Sequence, residues 1–292
     1  MKKALWIPAL LLFFFIGDRV GGYILKQLVA KSEFRYSRLY TGKAKSDIVL
    51  LGNSRGLIFY QPYIEEITGQ KTLNLSYNSL PIDMGQVLVE DYLERYGAPK
   101  KLIIDVTMCD RTNTQLVTGF SPYSSYSRSM DQLIKSASKN SWIAGKLSHL
   151  FRFNGEVFQR TLNYLGKSDK DWLIDRVISD HMQENATLES VVELKTTPER
   201  LASLQQLIVV AERKGTEVEL LVNPYYPPYA ERMTSLGPFI QQIEAATNKK
   251  VKNYALALQL TEGFGDYQHL NKKGSKQYLA LLAEDGVFSR KK

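Results

Sequence analysis

From about residue 45 onward the chain alternates between short apolar runs and longer stretches in which apolar side chains return every three or four residues. That alternation predicts a parallel sheet covered by helices, because a strand buried on both faces is apolar throughout whereas a surface helix is apolar along one stripe. Strands are expected at 47–51, 72–75, 102–108 and 218–222, with a weaker fifth at 251–255. Helices are expected at 61–68, 82–96 and 198–214. Gly69, Gly97 and Gly215 stand after them as stops, Pro81 opens the second, and Thr197-Pro198 opens the third. The rhythm breaks over about 110–194, where a Ser/Tyr-rich segment (121–129) leads into helical patches at 130–137, 142–151 and 156–165. This region reads as a mostly helical insertion after the third strand, lying over the strand ends where ligands of such sheets enter.

The amino end follows another pattern. Lys2 and Lys3 precede an uncharged apolar run, 4–16, and 20–29 continue mostly apolar beyond the Asp18-Arg19 pair. The run has the length of a signal-peptide core, yet no small-x-small cleavage site follows, and 17–25 complete a membrane span if Asp18 and Arg19 sit near the interface. The expected organisation is therefore a signal anchor over 1–29, a basic, tyrosine-containing linker over 30–46, and an α/β domain over 47–292 that carries the insertion and lies outside the cytoplasm. Arg19, Lys26, Lys31 and Arg35 outnumber the two leading lysines and argue for the opposite orientation, so charge alone does not fix the topology. The alternative, an amino-terminal helix of a soluble protein, fits poorly with a Leu-Leu-Leu-Phe-Phe-Phe-Ile run that is apolar on every face.

Composition narrows the function classes. With 292 residues, 44% hydrophobic and 23% charged, the chain has the makings of a buried core and is not a disordered polymer. Lys and Arg number 38 against 30 acids, a net of +8, which suits anionic surroundings such as phospholipid headgroups or acidic glycans. No aromatic-and-basic ribonucleoprotein motif and no Cys/His zinc-finger spacing occurs, so nucleic acid is not an expected partner. Cys109, the single cysteine, allows no intrachain disulfide and no multi-thiolate metal site, and reads as a small buried hydrophobe.

Two stretches carry candidate chemistry. The first strand runs directly into Gly52-Asn53-Ser54-Arg55-Gly56, which would place the Ser54 hydroxyl in the crevice at the carboxyl end of a parallel sheet, near helix N–H groups able to hold an oxyanion. An ordinary strand-to-helix turn reads the same way when taken alone. Far downstream stands Asp266-Tyr267-Gln268-His269-Leu270-Asn271, just before a helix that ends near Ala283. An aspartate three residues before a loop histidine can be aimed at the imidazole by one turn, fixing its tautomer and supporting the imidazolium. His149 and His181 lie in helical patches and are expected to be structural or surface residues.

Together, Gly52-Asn53-Ser54-Arg55 and Asp266-x-x-His269-Leu270-Asn271 resemble the first and last blocks of the SGNH (GDSL-type) hydrolase superfamily, in the same chain order and with a compatible strand and helix pattern between them. The resemblance implies a three-layer, flavodoxin-like parallel sheet. It also implies Ser54 as nucleophile, His269 as general base and later acid, and Asp266 as its orienting partner, without metal or organic cofactor. The departures are definite. Asn53 stands where aspartate is usual. The second block, 73–79, lacks the glycine whose N–H joins the oxyanion hole, which leaves the backbone N–H groups of Asn78 and Ser79 as candidates. The third strand ends Asp105-Val106-Thr107-Met108-Cys109-Asp110 instead of Gly-x-Asn-Asp, and Asn113 is the nearest asparagine.

Weakened middle blocks behind an anchor resemble the membrane-tethered branch of the superfamily, whose members serve O-acetylation of exported polysaccharides and D-alanylation of teichoic acids. The expected function is a serine esterase or O-acyltransferase acting on acyl esters of an envelope glycan or related polymer, with a membrane partner as a conceivable acyl donor. The alternative is a noncatalytic scaffold or binding component of an envelope polysaccharide-modification assembly. The tyrosines of 225–229 follow the fourth strand, and are expected either to face a sugar ring or, in the simpler reading, to pack within a proline-stiffened loop. Glu90, Asp91 and Glu94 read as a solvated helix face, and the Asn-x-Ser/Thr triplets at Asn74 and Asn185 as chance occurrences.

Overall fold

A computed structural model describes residues 6–289; Lys2 and Lys3, at the head of the expected anchor, lie outside them. In chain order, helices α1 (Trp6–Lys31) and α2 (Arg35–Tyr40) precede strand β1 (Ile48–Leu51), α3 (Gln61–Thr68), β2 (Thr72–Asn74), α4 (Ile82–Tyr96) and β3 (Lys101–Asp105). Then come α5 (Thr114–Gly119), α6 (Arg128–Ala137), α7 (Lys139–Leu147), α8 (Glu156–Asn163), the short α9 (Asp180–Asn185) and α10 (Pro198–Arg213). Strand β4 (Glu217–Val222), one-turn α11 (Pro227–Ala230), α12 (Leu236–Thr247), β5 (Val251–Asn253) and α13 (Lys272–Glu284) complete the order. The chain divides into two compact units. The first joins the described amino end up to Lys43 with Thr114–Asp169; the second joins Ala44–Asn113 with the chain from Lys170 onward.

The second unit is α/β, built on a five-stranded sheet in the order β2-β1-β3-β4-β5 with every neighbouring pair parallel. Register is fixed by pairs such as Leu50 with Asn74, Leu51 with Ile104, and Asp105 with Leu221. Ile48, Val49, Leu50 and Leu51 are all buried, as are Leu102, Ile103 and Ile104 beside them. Each such side chain contributes on the order of 1.5–3 kcal/mol when fully withdrawn from water. Helix α4 packs on α10 and α10 on α12, while α3 packs on α13, the arrangement of a three-layer α/β fold. The strand order reverses between β2-β1 and β3-β4-β5, so the crevice for a ligand opens outside the carboxyl ends of β1 and β3.

Helices α3 and α4 have the expected bounds, and Gly69 takes the left-handed conformation at φ 68° that ends α3 without a Cβ penalty. Strand β3 stops at Asp105, short of the expected residue 108, because the Asp105 carboxylate accepts from Thr107 N and Oγ1 at 2.9 and 2.6 Å and turns 106–110 into a 3-10 helix.

In the first unit α1 spans 26 residues, about 39 Å at 1.5 Å per residue. It is long and apolar enough to cross a membrane. The expected linker is folded over much of its length. Phe34, Tyr36, Leu39 and Tyr40 are buried, and Tyr36 packs edge-on against Phe120 and Tyr123. Arg35 and Arg38 are matched by Asp169, which accepts from Arg35 N at 2.6 Å and Nε at 3.0 Å and from Arg38 Nη2 at 3.2 Å. The expected insertion is divided as well: 114–169 fold with α1 and α2, whereas 170–194 belong to the α/β unit and hold only the short α9. The helical patch expected at 142–151 is two elements, α7 and a 3-10 turn over Leu150–Phe153, broken at Ser148 and His149.

Candidate active site

The turn after β1 is shaped by two glycines and an asparagine. A Cβ on Gly52 would lie 3.0 Å from Gly56 Cα and 3.1 Å from Asp105 Cβ, and one on Gly56 would collide with Ser76 Oγ, so the chain can fold back here only without side chains. Asn53 Oδ1 accepts from Arg55 N at 2.9 Å and caps the 3-10 turn Ser54–Ile58, while its Nδ2 donates to Thr107 Oγ1 at 3.3 Å. A neutral amide serves this double role, donor and acceptor at once, where a carboxylate could only accept.

Ser54 Oγ stands 2.9 Å from His269 Nε2, although 215 residues separate them. Asp266 faces the other ring nitrogen, with its Oδ1 and Oδ2 at 2.8 and 3.0 Å from His269 Nδ1. A carboxylate only accepts, so Nδ1 carries the ring proton and Nε2 presents its lone pair to the serine hydroxyl. Asp266 Oδ1 also accepts from the backbone N–H of Gln268 and of His269, both at 2.9 Å, so one oxygen closes the whole loop turn. Burial works against the charged carboxylate, but the His269 hydrogen bond, the charge of the imidazole when it is protonated, and these two N–H groups outweigh it and hold its pKa below the usual carboxylate value. The two side chains keep about a quarter to a fifth of their surface open (24% and 20%), enough for a substrate to reach them.

Asn78 and Ser79 form the turn after β2. Tyr77 N donates to Gly52 O at 3.3 Å, which ties this turn to the one that carries Ser54, and Leu80 N donates to Tyr77 O at 3.1 Å. Among the described residues, no protein acceptor takes the N–H of Ser54, Asn78 or Ser79. Ser79 has φ 54°, the left-handed conformation that glycine adopts freely. Asn113 Nδ2 donates to Ser79 O at 3.3 Å and so braces the turn.

Several residues had no role assigned from sequence. Arg55, buried, donates from Nη1 to Gln268 O at 2.7 Å and from Nη2 to the carbonyls of Asn223 and Pro224. Its guanidinium lies 3.3 Å over the Tyr225 ring, with Nε 3.8 Å from Asp105 Oδ2. Asn223 returns the contact from Nδ2 to Arg55 O at 3.0 Å and accepts from Tyr278 OH at 2.9 Å. Arg176 Nη2 lies 3.7 Å from Asp266 Oδ2, and Arg176 Nε donates to Gly265 O at 3.2 Å. Asn271 caps α13 by accepting from Gly274 N at 3.1 Å. The sequence signal for Arg55 was its place beside Ser54; nothing near Arg176 marked it.

Other candidates stand elsewhere. Tyr225, Tyr226 and Tyr229 are buried; Tyr229 stacks on Tyr267 at 5.5 Å with rings nearly parallel, so these rings pack on one another and none offers a face to a sugar. Cys109 is fully buried, and burial pushes its thiol far up, away from any thiolate role. His149 is half-buried in the first unit, and His181 is exposed on α9.

No protein-family model matches the sequence, and no curated protein matches it. Among solved structures, one provisionally described as a platelet activating factor from Streptococcus pneumonia matches over 97% of this chain and 99% of its own, at 13% identity and a TM-score of 0.41. The functional reading therefore rests on the side chains of the site itself.

Proposed function

We propose that this chain is a serine-dependent esterase or O-acyltransferase of the SGNH type, anchored in the cell membrane by α1 with its α/β unit outside the cytoplasm. The observation that carries the reading is the continuous relay from Ser54 Oγ through the His269 imidazole to Asp266, with links of 2.9 and 2.8 Å. In the first half-reaction Ser54 Oγ bonds to the ester carbonyl carbon while His269 Nε2 takes the hydroxyl proton, and Asp266 stabilises the resulting imidazolium. The oxyanion would meet the uncommitted N–H groups of Ser54, Asn78 and Ser79. Collapse breaks the ester C–O bond, and the proton passes from His269 to the leaving oxygen. Water or a glycan hydroxyl then attacks the acyl carbon while His269 takes its proton; the bond to Ser54 Oγ breaks, and His269 returns the proton to Ser54 Oγ, restoring the hydroxyl. These steps call for no metal and no organic cofactor. The net charge of +8 favours an anionic envelope polymer as acceptor or substrate.

One observation favours the noncatalytic scaffold. Asn113, the asparagine nearest the missing third block, donates from Nδ2 to the Ser79 carbonyl at 3.3 Å and so braces that turn. Removing one oxyanion donor costs on the order of 10²–10³ in rate, so such a site would be slow but measurable. Hydrolysis of a chromogenic acetyl ester by the full chain in detergent separates the two: the enzyme reading expects turnover in the wild type that Ser54→Ala abolishes, and the scaffold reading expects none in either.

A further inference from the structure

The first unit holds an open cavity of about 330 Å³ lined by Arg19, Tyr23 and Lys26 of α1 and by Ser125, His149 and Arg152 of the chain packed on that helix. Three basic residues stand in its lining: Lys26 Nζ lies 4.8 Å over the Tyr126 ring, and Arg19 Nη2 donates to Leu147 O at 3.2 Å. The acid beside it, Asp18, is already spent on Ser148 Oγ, His149 N and Leu150 N at 2.5, 2.8 and 3.0 Å, and pairs with Arg19 at 3.4 Å. The other acid sensed by Arg152, Asp131, is held by Lys146 at 2.9 Å. His149 bears out the excess of positive charge: burial first, then the charges of Arg152 and Arg19, disfavour its protonation. The approach of the two chain segments is built in, since a Cβ on Gly22 would collide with His149 and one on Gly21 would lie 3.0 Å from Leu150 Cδ2.

The setting is apolar on one side. From Trp6 to Ile16 the helix exposes its large side chains, and beyond them Val20, Tyr23 and Ile24 stay exposed on α1, as do Leu147, Leu150 and Phe151 on the neighbouring chain. A cationic hollow with a tyrosine at its rim, bordered by an apolar helix surface, matches an amphiphile with a charged head and hydrocarbon tails. A soluble anion would use only half of it.

We propose that this cavity binds the phosphate headgroup of an anionic phospholipid, with Arg19, Lys26 and Arg152 around the phosphate and the acyl chains along the exposed face of Trp6–Ile16. The inference rests on the reading of α1 as a membrane helix. It assigns that helix a role beyond tethering, because a bound lipid would set the depth at which the first unit meets the membrane.

The test is native mass spectrometry of the delipidated full chain in non-ionic detergent with added phosphatidylglycerol or phosphatidylcholine. The expected result is one phosphatidylglycerol retained in clear preference to phosphatidylcholine, the preference falling about fivefold in Lys26→Gln and about fivefold in Arg152→Gln, as expected for roughly one cation–headgroup contact each. Arg152 Nε also donates to Gly145 O at 2.6 Å, so its variant is read only where thermal melting matches the wild type; Lys26 Nζ makes only a cation–π contact, 4.8 Å over the Tyr126 ring. Equal retention of the two lipids, an undiminished preference in Lys26→Gln, or displacement by glycerol 1-phosphate as effective as by lipid would each overturn the proposal. An alkaline carbonate wash that releases the chain from membranes would instead overturn the anchor reading, independently of lipid preference in detergent.

Discussion

Arg55 Nη1 donates to the carbonyl of Gln268 across 2.7 Å, so the residue after the proposed nucleophile is tied to the residue before the proposed base. The same guanidinium reaches the chain after β4 and faces Asp105 at the end of β3. One buried cation thereby joins the three strand ends that frame the crevice. Removing it should act on geometry and on stability together. Arg55→Ala leaves Asp105 without its counter-charge and is expected to cost about 3–5 kcal/mol in denaturant unfolding. Arg55→Lys keeps the charge but loses the fork, and its folded fraction should hydrolyse ester roughly 10²-fold more slowly, the scale of an ångström-sized misplacement. Steady-state kinetics beside an unfolding curve reads both.

Asp266 gives a pH signature. Its carboxyl titrates below the ordinary value in the folded chain, so its ionisation contributes stability that is fully present above the unfolded value, about pH 4, and is lost as pH falls through the lower folded value. Replacing it by asparagine removes that contribution. The stability gap between wild type and Asp266→Asn should shrink on acidification below about pH 4, as measured by urea unfolding. Its ester hydrolysis should fall by roughly 10³–10⁴-fold, because the amide no longer fixes the acceptor nitrogen toward Ser54. A gap that widens below about pH 4 would contradict the assignment.

Ser79 at φ 54° tests the oxyanion turn. Glycine adopts this conformation freely, so Ser79→Gly should leave the N–H in place, shift stability by less than about 1 kcal/mol, and keep full activity. Ser79→Val places a β-branched residue where it fits worst and should destabilise by about 1–3 kcal/mol. Its activity should drop by on the order of 10²–10³ if the turn supplies an oxyanion donor. Equal kinetics in the two variants would remove Ser79 from the site.

In the first unit, Asp169 is fully buried between Arg35 and Arg38. Asp169→Asn removes the buried carboxylate shared by two guanidinium groups and should lower stability by about 3–5 kcal/mol, seen as an earlier unfolding transition of the full chain in detergent.

What the sequence disclosed and what it hid divide along range of interaction. β1 and β4 are visible because a strand buried on both faces needs only a local apolar run, and α3 and α4 because Gly69 and Gly97 mark their ends. Asp105 was read as strand because its cap on Thr107 is a side-chain choice that an apolar run does not reveal. The basic stretch around Arg35 and Arg38 looked like a solvated linker because the acid that neutralises it lies more than 130 residues away. Ser54, Asp266 and His269 were legible as residue types in two short motifs. The contacts of Arg55, Asn223 and Arg176 were not, because the groups they meet, such as Gln268, Arg55 and Asp266, lie far from them in the chain.

The measurement that bears most directly on the central claim is fluorophosphonate labelling of the full chain in detergent, followed by intact and peptide mass spectrometry. An alcohol activated by His269 and Asp266 should take up one adduct, on Ser54, and should label far more slowly in a folded His269→Gln variant. A folded wild type that stays unlabelled, or that labels at the same rate without the imidazole, would contradict the account.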